Sequence, residues 1–174
     1  MGLALAVSVA LVLIFLFAAL RSVKLIVATF ATLTVGLVLT FAFAFLTIGS
    51  LNLISVGFAV MFIGLSIDFG IQFGVRYGQE RFEQGEAGAL ARTGGAMARP
   101  LALAAAAIAL GFAAFIPTAY RGVSELGLIA LAGMSITLVL NFTLLPALLT
   151  LLKPRTAPRE MGFPWAAAVD SFLL

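Results

Sequence analysis

Five apolar stretches, at about 3–20, 25–48, 53–75, 101–119 and 124–152, account for most of the chain. Each approaches or exceeds the roughly 20 residues that a helix needs to cross the hydrocarbon of a bilayer. Residues are 63% hydrophobic and 10% charged, against about 45–50% and 25% in soluble domains. A soluble fold of 174 residues could not hide that much apolar surface, so lipid is the natural solvent. The connections at 21–24, 49–52 and 120–123 are short and imply antiparallel neighbours in one bundle. The expected fold is an all-α, polytopic bundle of five spans over 1–152, followed by a linker with a short interfacial segment over 153–174.

Charge placement orients the bundle. If the spans alternate, Arg21, Lys24, Arg76, Arg81, Arg92, Arg99, Lys153, Arg155 and Arg159 share one side, and Arg121 stands alone on the other. Such an excess marks the cytoplasmic side, so loops 21–24 and 76–99 and the C-terminus are expected in the cytoplasm. The first run has no Lys or Arg before it and is long enough to span, unlike a signal peptide. Met1 then falls outside the cell, which suggests a start placed at a cut, with a span and an external loop before it.

The segment 76–99 mixes Glu80, Glu83 and Glu86 with Arg76, Arg81 and Arg92, and its glycines weaken a helix. It is expected to lie at the membrane interface as a helix, with a solvated loop as the plainer reading. Pro100 is placed at the start of the fourth span, where its missing N–H costs nothing. Pro146 is placed inside the fifth, which it should kink. Pro154, Pro158 and Pro164 mark the linker, and residues 165–174 the short interfacial segment.

One ionisable residue, Asp68, lies well inside the spans, while Glu125 stands at the very start of the fifth. A charge at that depth costs at least about 2.5–3.5 kcal/mol, so the acid is expected to be buried in the bundle, hydrogen-bonded or protonated. Gly64, Asp68 and Gln72 recur at four-residue spacing and share a helix face. Ser66, Gly70 and Gly74 form a second, small-residue stripe offset by about 200°, with the spacing that lets helices approach closely. Gly64 is counted among the packing residues as well. Counting equal depth along the neighbouring spans gives Thr32 and Asn141 as relay partners, with Gln72 on the same face as a third, although Thr32 and Asn141 are each more often a helix–helix polar contact. A carboxyl without a cationic partner in low dielectric favours its neutral form and could exchange a proton. The alternatives are a permanently protonated, hydrogen-bonded Asp and a cation ligand, for which one carboxylate and an amide make a poor cage. Glu125 reads as a first-turn acid at a helix N-terminus.

Other chemistries lack residues. There is no Cys and no His, which removes disulfides, the commonest metal ligands and the usual neutral-pH proton shuttle. No Gly-Lys-Ser/Thr phosphate cradle is present, and no second acid pairs with Asp68 for hydrolysis. An enzyme, a cofactor, a metal site and a nucleic-acid partner are therefore not expected.

The run GLSIDFGIQFGVRYGQER, with Asp68-Phe69 and Arg76-Tyr77, resembles the fourth span of RND-superfamily transporters of the MMPL branch. ARPLALAAAAIALGFAAF resembles the fifth span, and YRGVSELGLIALAGM the entry to the sixth. Within that branch, LNLISVGFAVMFIGLSIDFGIQFGVRY, PTAYRGVSELGLIA and TLLPALLTLL look like the RND transporters associated with hopanoid biosynthesis in Gram-negative bacteria. The tail MGFPWAAAVDSFLL resembles their linker to the second half.

The resemblance implies spans two to six of an N-terminal half in the bacterial inner membrane. Its partners would be membrane lipids, the remaining half and periplasmic domain of the same transporter, and in one arrangement a second copy. The implied activity is proton-driven export of hopanoid-type lipids towards the outer membrane, with the family's relay Asp carried to Asp68. Members with a double Asp differ, since position 69 here is Phe. The alternatives are the membrane component of Sec-type protein export, which has Ala-Asn after the Asp where Phe-Gly stands here, and a sterol- or lipid-sensing bundle without transport.

Overall fold

The computed structural model describes residues 22–49 and 53–154; the expected span at 3–20 and the segment at 165–174 lie outside them. The described residues form helices α1 (Val23–Ile48), α2 (Leu53–Gln84), α3 (Ala89–Ala113), α4 (Arg121–Phe142) and α5 (Leu144–Leu152). No strand occurs among the described residues. By length and composition, Val23–Ile48, Ala89–Ala113 and Arg121–Leu152 can each cross a membrane. The chain is an all-α membrane bundle.

Helix ends follow from backbone chemistry. The Ser22 carbonyl accepts the N–H groups of Leu25 and Ile26 and starts α1. Gly49, at φ 80°, returns its N–H to Phe45 and stops it. Gly85 (φ 82°) and Gly88 (φ 76°) flank the turn between α2 and α3. A left-handed residue at a helix boundary is strained for anything with a Cβ, which is why glycines punctuate these ends.

Three expectations change. The 76–99 segment is no separate interfacial helix: its first half continues α2 to Gln84 and its second half opens α3. Polar residues keep α2 helical by pairing along it, Arg76 with Glu80 at 2.6 Å and Gln79 with Glu83 at 3.0 Å. At 32 residues and 1.5 Å per residue, α2 is ~48 Å long and outruns the hydrocarbon. Pro100 does not begin a helix but lies inside α3, where it removes one internal hydrogen bond. The last apolar stretch is two helices, broken at Thr143 (φ −118°, ψ −67°). Pro146 lacks the N–H that the Phe142 carbonyl would accept and crowds that carbonyl, so the expected kink becomes a break.

α4 is the central element and packs against the other four helices. Lipid supplies no hydrophobic drive between helices, so close packing of small residues must do so. On α4, Gly127, Ala130 and Gly133 are buried. A side chain at Gly127 would meet the Phe112 carbonyl oxygen at 2.6 Å. On α1, Gly36 admits Leu140 and the ring of Phe62. The core gathers Leu25, Phe69, Phe73, Leu101, Met134 and Leu149, and Phe73 meets Phe142 edge-on with centroids 6.0 Å apart. The outer face of α3 carries exposed Leu103 and Leu110.

Candidate functional site

The two faces of α2 have opposite fates. Ser66, Phe69, Gly70, Phe73 and Gly74 turn inward and are buried. At Gly70 the backbone lies so close to Thr29 of α1 that an added Cβ would overlap the threonine methyl. Gly64, Asp68 and Gln72 turn outward and are exposed, with Met61 on the same side. Nothing lies within 4 Å of a Cβ placed at Gly64, so no described residue packs on it there.

The structure does not bring Thr32 and Asn141 into hydrogen-bonding contact with Asp68. Thr32 is buried and donates its hydroxyl to the Ala28 carbonyl at 2.9 Å. Asn141 is buried and donates its side-chain amide to the Thr137 carbonyl at 2.9 Å. Both therefore serve their own helices. Depth counting along the chain gives the level of a residue but not its direction around the helix. Asp68 forms no hydrogen bond or ion pair among the described residues, and of the three expected partners Gln72 alone shares its face. Glu125, in the second turn of α4, is ion-paired with Arg121 at 2.7 Å.

A second constellation, missed as such in the sequence, closes the polar end of α2. Glu80 is 3% exposed and sits between two guanidinium groups, Arg76 at 2.6 Å and Arg92 of α3 at 3.1 Å. Arg92 also donates to the Ala87 carbonyl at 2.8 Å and the Gly85 carbonyl at 3.1 Å. It thereby satisfies backbone acceptors in the turn where α2 has run out of helical donors. Beside it, Arg81 pairs with Glu86 at 2.9 Å and donates to the Pro154 carbonyl. Burial works against the Arg81 charge, but Tyr77 and Glu86 outweigh it and hold the guanidinium pKa above its ordinary value. The Arg76–Glu80 spacing was the available signal; the Arg92 contact needs the hairpin.

Chemically, the exposed face offers one carboxyl and one carboxamide on the apolar stretch of α2 that precedes its charged end. That suffices to bind and release a proton and is too few oxygens for a divalent cation. Among the described residues no group of three or more acids, histidines or cysteines could hold a metal.

Comparison with known proteins agrees with the fold. The chain is 51% identical over 168 residues to the hopanoid transporter HpnN of Burkholderia multivorans, covering 96% of this chain and 19% of that protein. It is 47% identical over 167 residues to the hopanoid transporter HpnN of Rhodopseudomonas palustris, covering 95% of this chain and 19% of that protein. The chain thus spans about a fifth of the length of these curated relatives. The MMPL family matches residues 1–170, and on that evidence the chain belongs to the MMPL family.

Proposed function

We propose that this chain is part of the membrane domain of a proton-motive-force-driven RND transporter that exports hopanoid-type lipids from the bacterial inner membrane towards the outer. The names of its relatives support the substrate class. The observation that carries the mechanism is the outward position of Asp68 on a helix that is otherwise apolar at that level. Facing lipid, an ionised carboxyl there would cost at least about 2.5–3.5 kcal/mol. The face is therefore one that the remaining half of the transporter covers, and Asp68 works at the seam between the halves. Taking up a proton from one side and losing it to the other harnesses about 2.3 kcal/mol per 100 mV, and Gln72, one turn on, is placed to hydrogen-bond the carboxyl in either state.

In this reading residues 1–152 form five spans and 153–174 the linker. The side bearing Arg76, Arg81 and Arg92 faces the cytoplasm, following the positive-inside rule. Replacing Asp68 with Asn in the full-length protein tests the proposal in vesicles with an imposed proton gradient. Gradient-driven release of a hopanoid-type lipid should vanish while folding and membrane insertion persist. Transport at the normal rate by a folded Asp68→Asn protein would refute the carrier role.

A further inference from the structure

The interior of the bundle contains a polar pair that packing does not explain. Thr137 and Asn141 are each 1% exposed and stand one turn apart on the inner face of α4. Among the described residues, the Thr137 hydroxyl and the Asn141 Oδ1 have no hydrogen-bond partner. Every other described threonine donates its hydroxyl to a backbone carbonyl. That is the usual way for a hydroxyl to satisfy itself inside a membrane helix, so Thr137 is the exception among them. The Asn141 amide cannot be turned round to relieve the other atom. Its nitrogen is fixed by the Thr137 carbonyl at 2.9 Å, which accepts and cannot donate.

One turn of α4 therefore shows a free hydroxyl, able to donate and accept, beside a free carbonyl oxygen, able to accept. The pair lies immediately before the break at Thr143, where Pro146 leaves the Phe142 carbonyl without its helical donor. A buried water makes two to four hydrogen bonds to otherwise unsatisfied groups. It matches this pair, giving a proton to Asn141 Oδ1 and receiving one from the Thr137 hydroxyl. Divalent cations need more oxygens than the pair provides. The edge-on contact of Phe142 with Phe73 sets the pair about level with Gln72, on the interior side of α2 rather than the Asp68 face.

We propose that α4 binds a water molecule inside the bundle, between the side chains of Thr137 and Asn141. X-ray radiolytic footprinting of the full-length protein, after rapid mixing into heavy-oxygen water, tests the site. The reporter is Met134, 1% exposed and one turn before Thr137 on the same face. A bound water oxidises Met134 with ordinary oxygen. That label should be lost in Thr137→Val and in the Thr137→Val/Asn141→Leu pair, and kept in Thr137→Ser, which retains the hydroxyl. Three results would overturn the site: no label on Met134 in the unmodified protein, label carrying only heavy oxygen, or label unchanged in Thr137→Val. Melting temperature gives a second reading. A dry pair predicts that the isosteric Thr137→Val raises it, whereas a hydrated pair predicts that it falls.

Discussion

The crossing of α1 and α2 at Gly70 allows a prediction in which two opposing effects can be weighed. Replacing Gly70 with Ala in an exposed helix would stabilise it by about 0.8–1.0 kcal/mol, because glycine costs more backbone entropy. At this position the new methyl overlaps the Cγ2 methyl of Thr29 and stands 3.3 Å from its Cβ and Oγ1. Thr29 is 2% exposed and its rotamer is held by a 3.0 Å bond from its hydroxyl to the Leu25 carbonyl, so it cannot simply swing aside. Overpacking of this kind costs about 1–3 kcal/mol. The steric effect should win, leaving Gly70→Ala less stable by up to about 2 kcal/mol once the propensity gain is deducted. Thr29→Ser removes the overlapping methyl and keeps the hydroxyl bond, so the double variant should recover most of that loss. The assay is equilibrium unfolding of the four members of the cycle in mixed detergent micelles, with an expected coupling of about 1–2 kcal/mol. A Gly70→Ala protein as stable as its parent, or a double variant with no recovery, would show that the helices do not meet as described.

Other consequences can be checked in the same preparation. Gly127→Ala points its methyl at backbone, the Phe112 carbonyl oxygen at 2.6 Å, which cannot rotate away; its loss of stability should exceed that of Gly70→Ala, as read by unfolding midpoint. Glu80→Gln leaves Arg76 and Arg92 without their shared counter-charge; breaking a buried pair costs about 3–5 kcal/mol, and because each arginine is about a third exposed roughly half of that is expected, together with faster amide exchange in the turn at 85–88. Pro146→Ala restores the donor for the Phe142 carbonyl, so spin labels at the exposed Val139 and Leu151 should move apart towards the ~18 Å rise of a continuous helix; an unchanged distance would place the cause of the break elsewhere.

Hydropathy located the helices well and their ends poorly, for a physical reason. Apolar runs report where a chain can face lipid, so the stretches at 25–48 and 53–75 fall within α1 and α2. Helix extent depends on backbone bonding, which continues through Arg76–Gln79–Glu80–Glu83 whether or not lipid surrounds it. The stop comes at Gly85 and Gly88 because both adopt positive φ, while Gly94 and Gly95 sit inside α3 with no neighbour close enough to need a glycine. Composition alone cannot distinguish these four glycines. At the candidate site, four-residue spacing correctly groups Gly64, Asp68 and Gln72 on one face. Which face the bundle covers is settled by bulk, since Phe69 and Phe73 turn inward and take the neighbouring residues with them.

The reach of Arg92 from α3 to the end of α2 has a mechanical meaning. One guanidinium grips the Glu80 carboxylate and two turn carbonyls, so the two longest-reaching segments at the basic end form a single stiff lever rather than two hinged rods. If Asp68 carries the proton as proposed, a tilt of α2 that followed its charge would be handed on to α3. The part of the bundle displaced farthest would then be the outer face with Leu103 and Leu110, whose medium is the bilayer, so a proton event at Asp68 would be felt first as a deformation of the surrounding lipid.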